Sequence, residues 1–389
     1  MRGIDWFGKA LVALGVAAFV SGALADETPP DARLQAFVQD AAHAVMQRND
    51  IPGLSIAITA NGQRYYFDFG VASRQTGQAV TRDTLFELGS ISKTFTATLA
   101  TWAQANGQLS LDERIDAYLP QLHGTRLGKV PVYHLATHTA GGFPLQVPDR
   151  IQNTDQLMDY FKAWQPQHLA GTHRSYANPS IGLLGVITAR SMNMPFEQAV
   201  EERLFPALGL SETFLTVPAD KLSVYAQGYD KSNAPVRLNP GVLAAEAYGV
   251  KSTSRDVLRF VEANLDADSP DTPLKRALLD TRRGYFQVGA MTQDLIWEQY
   301  PRSAQLKELL AGNSSKMVLE TQPVRELSPP SAPQQDVWIN KTGSTNGFGG
   351  YVAFVPEKRL GIVILANRNY PNAERVELAY RILSELGLN

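Results

Sequence analysis

The sequence predicts a mixed α/β protein in which both ends of the chain contribute to one sheet and a helical segment is inserted between them. Three observations lead to this prediction. A hairpin pattern occurs near residue 60, clear strand patterns return only after residue 335, and the middle of the chain is rich in helical patterns, proline and loops.

The amino-terminal part of the sheet is predicted from a hairpin that follows one helix. The helical pattern runs from about Ala32 to Arg48, and the segments GLSIAITA and QRYYFDFGVAS then flank Asn61-Gly62. Asn-Gly favours the two-residue turn that joins adjacent antiparallel strands. A second helix is predicted from Ile91, where apolar residues recur every three or four positions, to the C-cap signal Asn106-Gly107.

The carboxyl-terminal part of the sheet is predicted from three segments, DVWINKTG, GGYVAFVP and LGIVILANRN. A last helix follows, with an apolar face that includes Val376 and Leu383. Residues 26–105 and 200–389 are therefore assigned to a discontinuous α/β sheet domain, and residues 106–199 to a helical domain. We expect the functional site between the two domains.

The first 25 residues have the pattern of a cleaved secretory signal. Arg2 and Lys9 precede an apolar run from Ala10 to Val20, and ALA at residues 23–25 fits a cleavage site. The run is too short to cross a bilayer; a buried first helix is the alternative. We expect residues 1–25 to be a signal peptide, and the mature protein to be a periplasmic monomer without membrane attachment.

Composition excludes several function classes. The 389 residues carry a formal net charge of −2 and include no cysteine. This charge gives no sign of a nucleic-acid partner, and the missing cysteine excludes thiol chemistry, disulfides and Cys-ligated metals.

His134 and His138 have zinc-protease spacing, but Leu135 stands where the glutamate is needed and no third ligand is evident. No metal or other cofactor is predicted, and the G-x-S-x-G motif of α/β-hydrolases is absent.

Ser90 and Lys93 form the first candidate for catalysis. In FELGSISKTF they stand three apart at the start of the predicted helix, so their side chains share a face. A neutral lysine amine can accept the serine proton, and N–H groups at a helix start can stabilise an oxyanion. The alternative is an N-cap serine beside an exposed lysine. No other S-x-x-K occurs in the sequence.

Two further motifs lie far along the chain. SYANPSIG places Tyr176 and Asn178 before Pro179, where Asn178 alone is most simply an N-cap. NKTGSTNGFGGYVAFV ends a strand with Lys341-Thr342-Gly343 and turns at Asn346-Gly347, which alone is an ordinary hairpin. S-x-x-K, Y-x-N and K-T-G in this order are together more specific than any one of them.

With GSISKTFTATLA and LANRNYPNAERV, these motifs resemble the class C serine β-lactamases, and the chain looks most like the chromosomal cephalosporinases of pseudomonads. The resemblance runs from the signal peptide to the C-terminal helix. It implies the serine β-lactamase/penicillin-binding-protein-like fold, an antiparallel sheet flanked by helices plus an inserted all-helical domain. It also implies hydrolysis of the β-lactam amide of cephalosporins and penicillins through a serine acyl-enzyme, which gives antibiotic resistance.

The resemblance assigns a role to each motif residue. It implies that Ser90 is the acylated nucleophile, Lys93 its proton partner, Tyr176 a general acid/base and Lys341 an electrostatic anchor. Two ammonium groups near Tyr176 would favour its phenolate, although the sequence leaves open whether Tyr176 or Lys93 is the base in each step. Backbone N–H groups of Ser90 and Ser344 would form the oxyanion hole. The implied substrate-binding residues are Gln146, Asn178, Thr342, Ser344, Tyr248, Asn372 and Arg375.

Arg375 carries a further argument, because a cation in the first turn of a helix opposes the helix dipole. An anionic ligand would relieve that conflict, and Asn372 lies three residues earlier on the same face. The pair is therefore expected to hold a substrate carboxylate. Alternatively, Asn372 is an N-cap and Glu374 neutralises Arg375.

Two other functions use the same chemistry on the same fold. One is a D-alanyl-D-alanine carboxypeptidase of the penicillin-binding type or a related esterase, and the other is a non-catalytic penicilloyl-binding sensor. In these two functions and in a β-lactamase alike, Ser90 attacks a β-lactam, but only a β-lactamase releases the resulting acyl group quickly. The missing membrane anchor argues against an anchored peptidase or receptor.

Overall fold

One antiparallel sheet forms the centre of the protein. The computed structural model describes residues 30–388, so the predicted signal peptide, residues 1–25, lies outside the described residues. Within that range the sheet has nine strands, in the order β6-β3-β4-β5-β7-β8-β9-β1-β2. In chain order, the strands are β1 (Gly53–Ala60), β2 (Gln63–Gly70), β3 (Gly284–Val288), β4 (Met291–Gln293), β5 (Glu298–Pro301), β6 (Arg325–Ser331), β7 (Val337–Ser344), β8 (Gly349–Val355) and β9 (Leu360–Ala366).

The two ends of the chain meet in this sheet, as the sequence predicts. Asn61 and Gly62 both have positive φ, 52° and 84°, and form the two-residue turn between β1 and β2. On its other side β1 pairs with β9, with Leu54 opposite Ala366. The mixed α/β fold and the sheet built from both chain ends are confirmed.

The helices cover both faces of the sheet and form a further layer beside it. The longer ones are α1 (Ala32–Asn49), α2 (Ser92–Ala105), α3 (Thr154–Ala163), α4 (Asn178–Ser191), α5 (Ser254–Leu265), α6 (Pro273–Asp280), α7 (Leu306–Gly312) and α8 (Asn372–Glu385). Single helical turns include Ile115–Tyr118, Tyr133–Ala136, Phe196–Gln198, Phe205–Ala207, Ala244–Ala247 and Ser315–Leu319. Strands of two residues are Phe86–Glu87, His173–Arg174, Thr213–Phe214, Gly228–Tyr229, Pro235–Val236, Lys251–Ser252 and Gln322–Pro323.

Successive side chains of β1 point to opposite faces of the sheet and pack against different helices. Ile56 and Ile58 share a core with α1 and α8, whereas Ala57 belongs to the core that includes α5 residues such as Val261. Both faces of β1 are therefore buried, which explains its nearly continuous apolar sequence.

A third core lies in the helical layer, where α2 packs against α4. It combines residues from the predicted helical domain, such as Ile181, with Ala97 of α2 and with Phe286 of β3. The packing is thus continuous across residues 105 and 199, and domain boundaries at those positions remain a prediction. Among residues 30–388, the longest apolar helical stretches fall short of what a membrane-spanning helix requires.

Strands β3 to β6 are the part of the sheet that the sequence pattern did not predict. They have three to seven residues each, and polar side chains such as Gln287, Thr292 and Gln299 interrupt their apolar pattern. Strand β6 also contains Pro329 and Pro330, which an edge strand tolerates because it leaves backbone groups unpaired.

Candidate active site

Ser90 lies in a short 3₁₀ turn, Gly89–Ile91, immediately before α2. Its side chain does not cap the helix, so the N-cap alternative is wrong. Gly89 has φ of +52°, and a Cβ there would lie 2.5 Å from the backbone nitrogen of Ser344. At Gly343 a Cβ would overlap the carbonyl oxygen of Leu88. Two glycines therefore let the end of β7 lie directly against the turn that carries Ser90.

Lys93 is completely buried one helical turn further on. Its Nζ donates hydrogen bonds to Ser90 Oγ at 3.0 Å and to the carbonyl oxygen of Ala247 at 2.8 Å. Burial, together with the charge of Lys341, outweighs the effect of Tyr176 and lowers the pKa of Lys93 from 10.5 to about 8. The exposed-lysine alternative is wrong, and a neutral amine is accessible near neutral pH.

Tyr176 lies two residues before the start of α4, and its ring lies among three cations. The ring centroid is 5.2 Å from Lys93 Nζ, 5.0 Å from Lys341 Nζ and 5.3 Å from Arg174 Cζ. Burial by itself would raise the pKa of Tyr176, but the charges of Lys341 and Lys93 outweigh burial and lower it from 10.0 to about 8. Its buried hydroxyl has no hydrogen-bond partner of acceptable geometry among residues 30–388.

A buried carboxylate balances part of this positive charge. Glu298 on β5 lies 3.6 Å from Lys341 Nζ, 3.2 Å from an Arg174 nitrogen and 3.3 Å from Asn340 Nδ2. Burial would lower the pKa of Lys341, but Glu298 and Tyr176 raise it above 10.5. With Lys93 protonated, three cations face one carboxylate, so ionisation of Tyr176 reduces an excess of positive charge.

Arg174 and Glu298 are the site residues that sequence reasoning missed. Both are buried, at 1% and 5% exposure, and both belong to elements that were not predicted. Glu298 did leave a signal, because a lone carboxylate in the apolar segment LIWEQY needs a buried partner. The sequence could not identify that partner, because Arg174 is 124 residues away along the chain.

The two histidines of the zinc-like spacing have other contacts. His134 Nδ1 lies 2.7 Å from Thr139 Oγ, and His138 packs against the Tyr176 ring with centroids 4.4 Å apart. Burial and the Arg174 charge hold the pKa of His138 well below its usual value, so it adds no charge to the site. Within residues 30–388, no three His, Asp or Glu side chains are grouped so that they could hold a metal ion.

An open cleft of about 1030 Å³ lies in front of Ser90. Eight of the eleven predicted site residues line it: Ser90, Gln146, Tyr176, Asn178, Tyr248, Thr342, Ser344 and Asn372. The other three, Lys93, Lys341 and Arg375, are buried behind its surface. The volume is at the upper end of the range for small-molecule sites.

Asn178 and Asn372 line the cleft and do not cap the helices at whose starts they lie. Asn178 is the first residue of α4; its Nδ2 donates to Gln146 Oε1 at 2.8 Å, and its buried Oδ1 has no partner among the described residues. Asn372 is the first residue of α8 and donates from Nδ2 to the carbonyl oxygen of Asn313 at 3.2 Å. Neither amide accepts a capping hydrogen bond, so both N-cap alternatives are wrong.

Arg375 requires a correction, because the structure does not place it on the cleft wall. Its guanidinium is fully buried and donates to Ser344 Oγ at 3.0 Å, to the Gly343 carbonyl oxygen at 2.7 Å and to the Tyr370 carbonyl oxygen. These acceptors, rather than a ligand, relieve the conflict with the helix dipole. Glu374 does not neutralise Arg375 but pairs with Arg48 at 2.6 Å.

The loop after β7 also differs from the expected turn. Asn346 and Gly347 lack the positive φ that a tight two-residue turn needs, and residues 345–348 form a longer connection closed by Thr345 N donating to the Phe348 carbonyl oxygen at 3.1 Å.

Comparison with known proteins identifies the family. The model of the β-lactamase family matches residues 38–387. The chain belongs to the β-lactamase family. A β-lactamase of Lysobacter lactamgenus is 51% identical over 363 residues, which cover 93% of this chain and 94% of the relative.

Solved structures agree with this assignment. A β-lactamase/D-alanine carboxypeptidase from Pseudomonas syringae is 68% identical, covers 91% of this chain and 99% of its own, and superposes with a TM-score of 0.89. A class C β-lactamase in complex with cefoxitin is 48% identical, covers 91% of this chain and 99% of its own, and has a TM-score of 0.88. The resemblance to class C serine β-lactamases, and with it the expected fold, is confirmed.

Proposed function

We propose that this serine β-lactamase hydrolyses the amide bond of cephalosporins and penicillins through an acyl-enzyme on Ser90, and so confers antibiotic resistance. One observation carries the assignment of residues: Lys93 Nζ is bonded to Ser90 Oγ at 3.0 Å, while the Tyr176 ring lies close to the ammonium groups of Lys93 and Lys341. Nucleophile, base and electrostatic support thus meet at the cleft.

In acylation, Ser90 Oγ attacks the lactam carbonyl carbon and its proton passes to Lys93 or Tyr176. The pKa values of about 8 for both groups make either one a usable base near neutral pH. The developing oxyanion is proposed to accept hydrogen bonds from the backbone N–H groups of Ser90 and Ser344. The close approach of β7 to the Ser90 turn, which Gly89 and Gly343 allow, supports this assignment. The C–N bond then breaks, and the lactam nitrogen takes a proton from the same pair.

In deacylation, the pair acts on water. Tyr176 accepts a proton from a water that attacks the ester carbon, and the released Ser90 oxygen regains its proton from the Lys93–Tyr176 pair. The pKa of the Tyr176 phenol, lowered to about 8 by Lys341 and Lys93, suits this step.

The amide groups of the cleft orient the substrate. Asn178 Oδ1 is a buried acceptor without a partner, and it suits an N–H donor of the acylamino side chain of a β-lactam. Gln146, Tyr248, Thr342 and Asn372 line the same space. We assign Asn372, at the start of α8, to the substrate carboxylate. Arg375 acts indirectly, by holding Ser344 and the end of β7.

D-alanyl-D-alanine peptide cleavage is the second candidate function. The Pseudomonas syringae relative, 68% identical, is named both a β-lactamase and a D-alanine carboxypeptidase. Both reactions acylate Ser90, and they differ in whether a β-lactam acyl group is released quickly.

The protein is further proposed to act as a monomer in the periplasm after removal of residues 1–25. The basic start, the short apolar run and the A-x-A site support the periplasmic location.

Steady-state hydrolysis of nitrocefin in the presence of EDTA tests the function. The enzyme is expected to turn over many equivalents with EDTA present, and Ser90→Ala is expected to remove this activity. A D-alanyl-D-alanine peptide assayed in parallel should be cleaved far more slowly. If nitrocefin instead forms one equivalent of stable adduct and the peptide is cleaved rapidly, the lactamase proposal is wrong and the peptidase function takes its place.

A further inference from the structure

A second cleft, with a volume of about 470 Å³, lies at the far end of α2 from Ser90. Residues from the ends of α2 and α4 and from the following segment line it, among them Trp102, Asn106, Met192, Asn193, Met194 and Arg203. It shares no lining residue with the cleft in front of Ser90. Trp102 stands nine residues after Lys93 on the same helix, which corresponds to about 14 Å along the helix axis.

Three side chains, Trp102, Met192 and Met194, form most of the apolar part of this cleft. Trp102, Met192 and Met194 are partly buried and pack against the adjoining hydrophobic core, and each keeps some surface exposed. Thioether side chains adjust to the shape of a ligand and interact favourably with aromatic rings. The indole offers a flat surface to the same ligand.

The charge of the cleft comes from one residue. Arg203 is the only ionisable side chain in its lining, is exposed, and makes no hydrogen bond or ion pair with any residue in the described range. The neighbouring glutamates do not line the cleft and are bonded elsewhere. Glu201 accepts from the Leu215 backbone N–H at 2.7 Å, and Glu202 accepts from Gln198 Nε2 at 2.8 Å.

We propose that this cleft binds an amphipathic organic anion, with an aromatic or branched aliphatic body on Trp102 and the two methionines and a carboxylate or sulfonate on Arg203. A planar guanidinium can hold either anion through two hydrogen bonds. The amide of Asn193 supplies a further donor, as does the second N–H of Asn106 Nδ2, which already donates to the Trp102 carbonyl oxygen at 2.8 Å. The volume of about 470 Å³ lies within the range of small-molecule sites. The lining combines apolar and polar side chains, as an amphipathic ligand requires.

Naphthalene-2-sulfonate is a suitable probe, and its binding to the mature protein can be measured by isothermal titration calorimetry. Arg203→Ala removes the charge of the cleft. Arg126→Ala is the matched control, because Arg126 is also exposed without a partner in the described range but lies outside both clefts. Naphthalene-2-methanol serves as the uncharged probe.

One site is expected for the sulfonate, with the same affinity in the wild type and Arg126→Ala. Arg203→Ala should bind at least about tenfold more weakly, the loss expected for one charge-assisted hydrogen bond. The alcohol should bind both variants equally, and nitrocefin hydrolysis should not be inhibited competitively. Equal sulfonate affinity in Arg203→Ala, no saturable binding, or competition with nitrocefin would each overturn the proposal.

Discussion

Replacing Lys341 by methionine should move the acidic limb of the pH–rate profile to higher pH. Among the charges near Tyr176, that of Lys341 lowers the pKa of the phenol most, and it also lowers the pKa of Lys93. Its removal therefore raises the pKa of whichever group is the base. Methionine keeps most of the side-chain volume at this buried position, so the charge is the main change.

The size of the shift follows from the distance. Lys341 Nζ lies 5.0 Å from the Tyr176 ring centroid. With this distance taken as the charge separation, and an effective dielectric constant of about 20, unit charges interact by roughly 3 kcal/mol, or about two pKa units. The limb of kcat/KM should move from near pH 8 towards pH 10, so that kcat/KM at pH 7 falls by about 100-fold.

The assay is nitrocefin hydrolysis between pH 5.5 and 10.5, with circular dichroism at each pH to confirm folding. Lys341→Arg is the control, because it keeps a positive charge next to Glu298 and should shift the limb much less. An unchanged limb in Lys341→Met would refute the claim that the Lys341 charge sets the titration of the base.

Three further predictions concern the surroundings of the nucleophile. Glu298→Gln removes a charge that opposes ionisation of Tyr176, so the limb of the same nitrocefin profile should move to lower pH; a shift to higher pH would contradict this assignment of charges. Gly89→Ala places a Cβ 2.5 Å from the Ser344 nitrogen at φ of +52°, and should lower kcat/KM by on the order of 100-fold through the oxyanion hole; wild-type kinetics would show that Ser344 is not part of it. Arg375→Ala leaves several buried carbonyl groups unpaired and should lower the free energy of unfolding in urea by about 3 kcal/mol or more. Its kcat/KM should fall equally for a cephalosporin and for the carboxylate ester of that cephalosporin. A loss confined to the free carboxylate would show that Arg375 binds the substrate carboxylate.

Local signals were enough to predict the parts of the fold that depend on neighbours in the sequence. Asn61-Gly62 predicts the first hairpin because only a few residue types adopt positive φ at both turn positions. The apolar strands β7, β8 and β9 are recognisable because both their faces are buried. Strands β3 to β6 are short and carry polar residues, so their existence depends on pairing with distant segments that a local pattern does not contain.

In the candidate site, too, contacts between residues close in sequence could be predicted, whereas contacts between distant residues could not. Ser90 and Lys93 are three residues apart, so helical geometry alone predicts their contact, and the structure places them 3.0 Å apart. The contacts of Glu298 with Arg174 and Lys341 join residues far apart in the chain, and only the tertiary fold reveals them. The position of Arg375 could not be predicted from its place in the first turn of α8, because the carbonyl groups that surround it come from β7, β8 and the segment before the helix.

The central claim is that β-lactams are hydrolysed through a transient acyl group on Ser90, and time-resolved intact-mass spectrometry tests it most directly. The enzyme is mixed with a small excess of a slowly hydrolysed β-lactam and quenched at intervals, and the adduct is located by peptide mapping. We predict a one-to-one adduct on Ser90 that forms, decays as product accumulates, and is absent in Ser90→Ala. An adduct on another residue, or product formation by Ser90→Ala at the wild-type rate, would contradict the account.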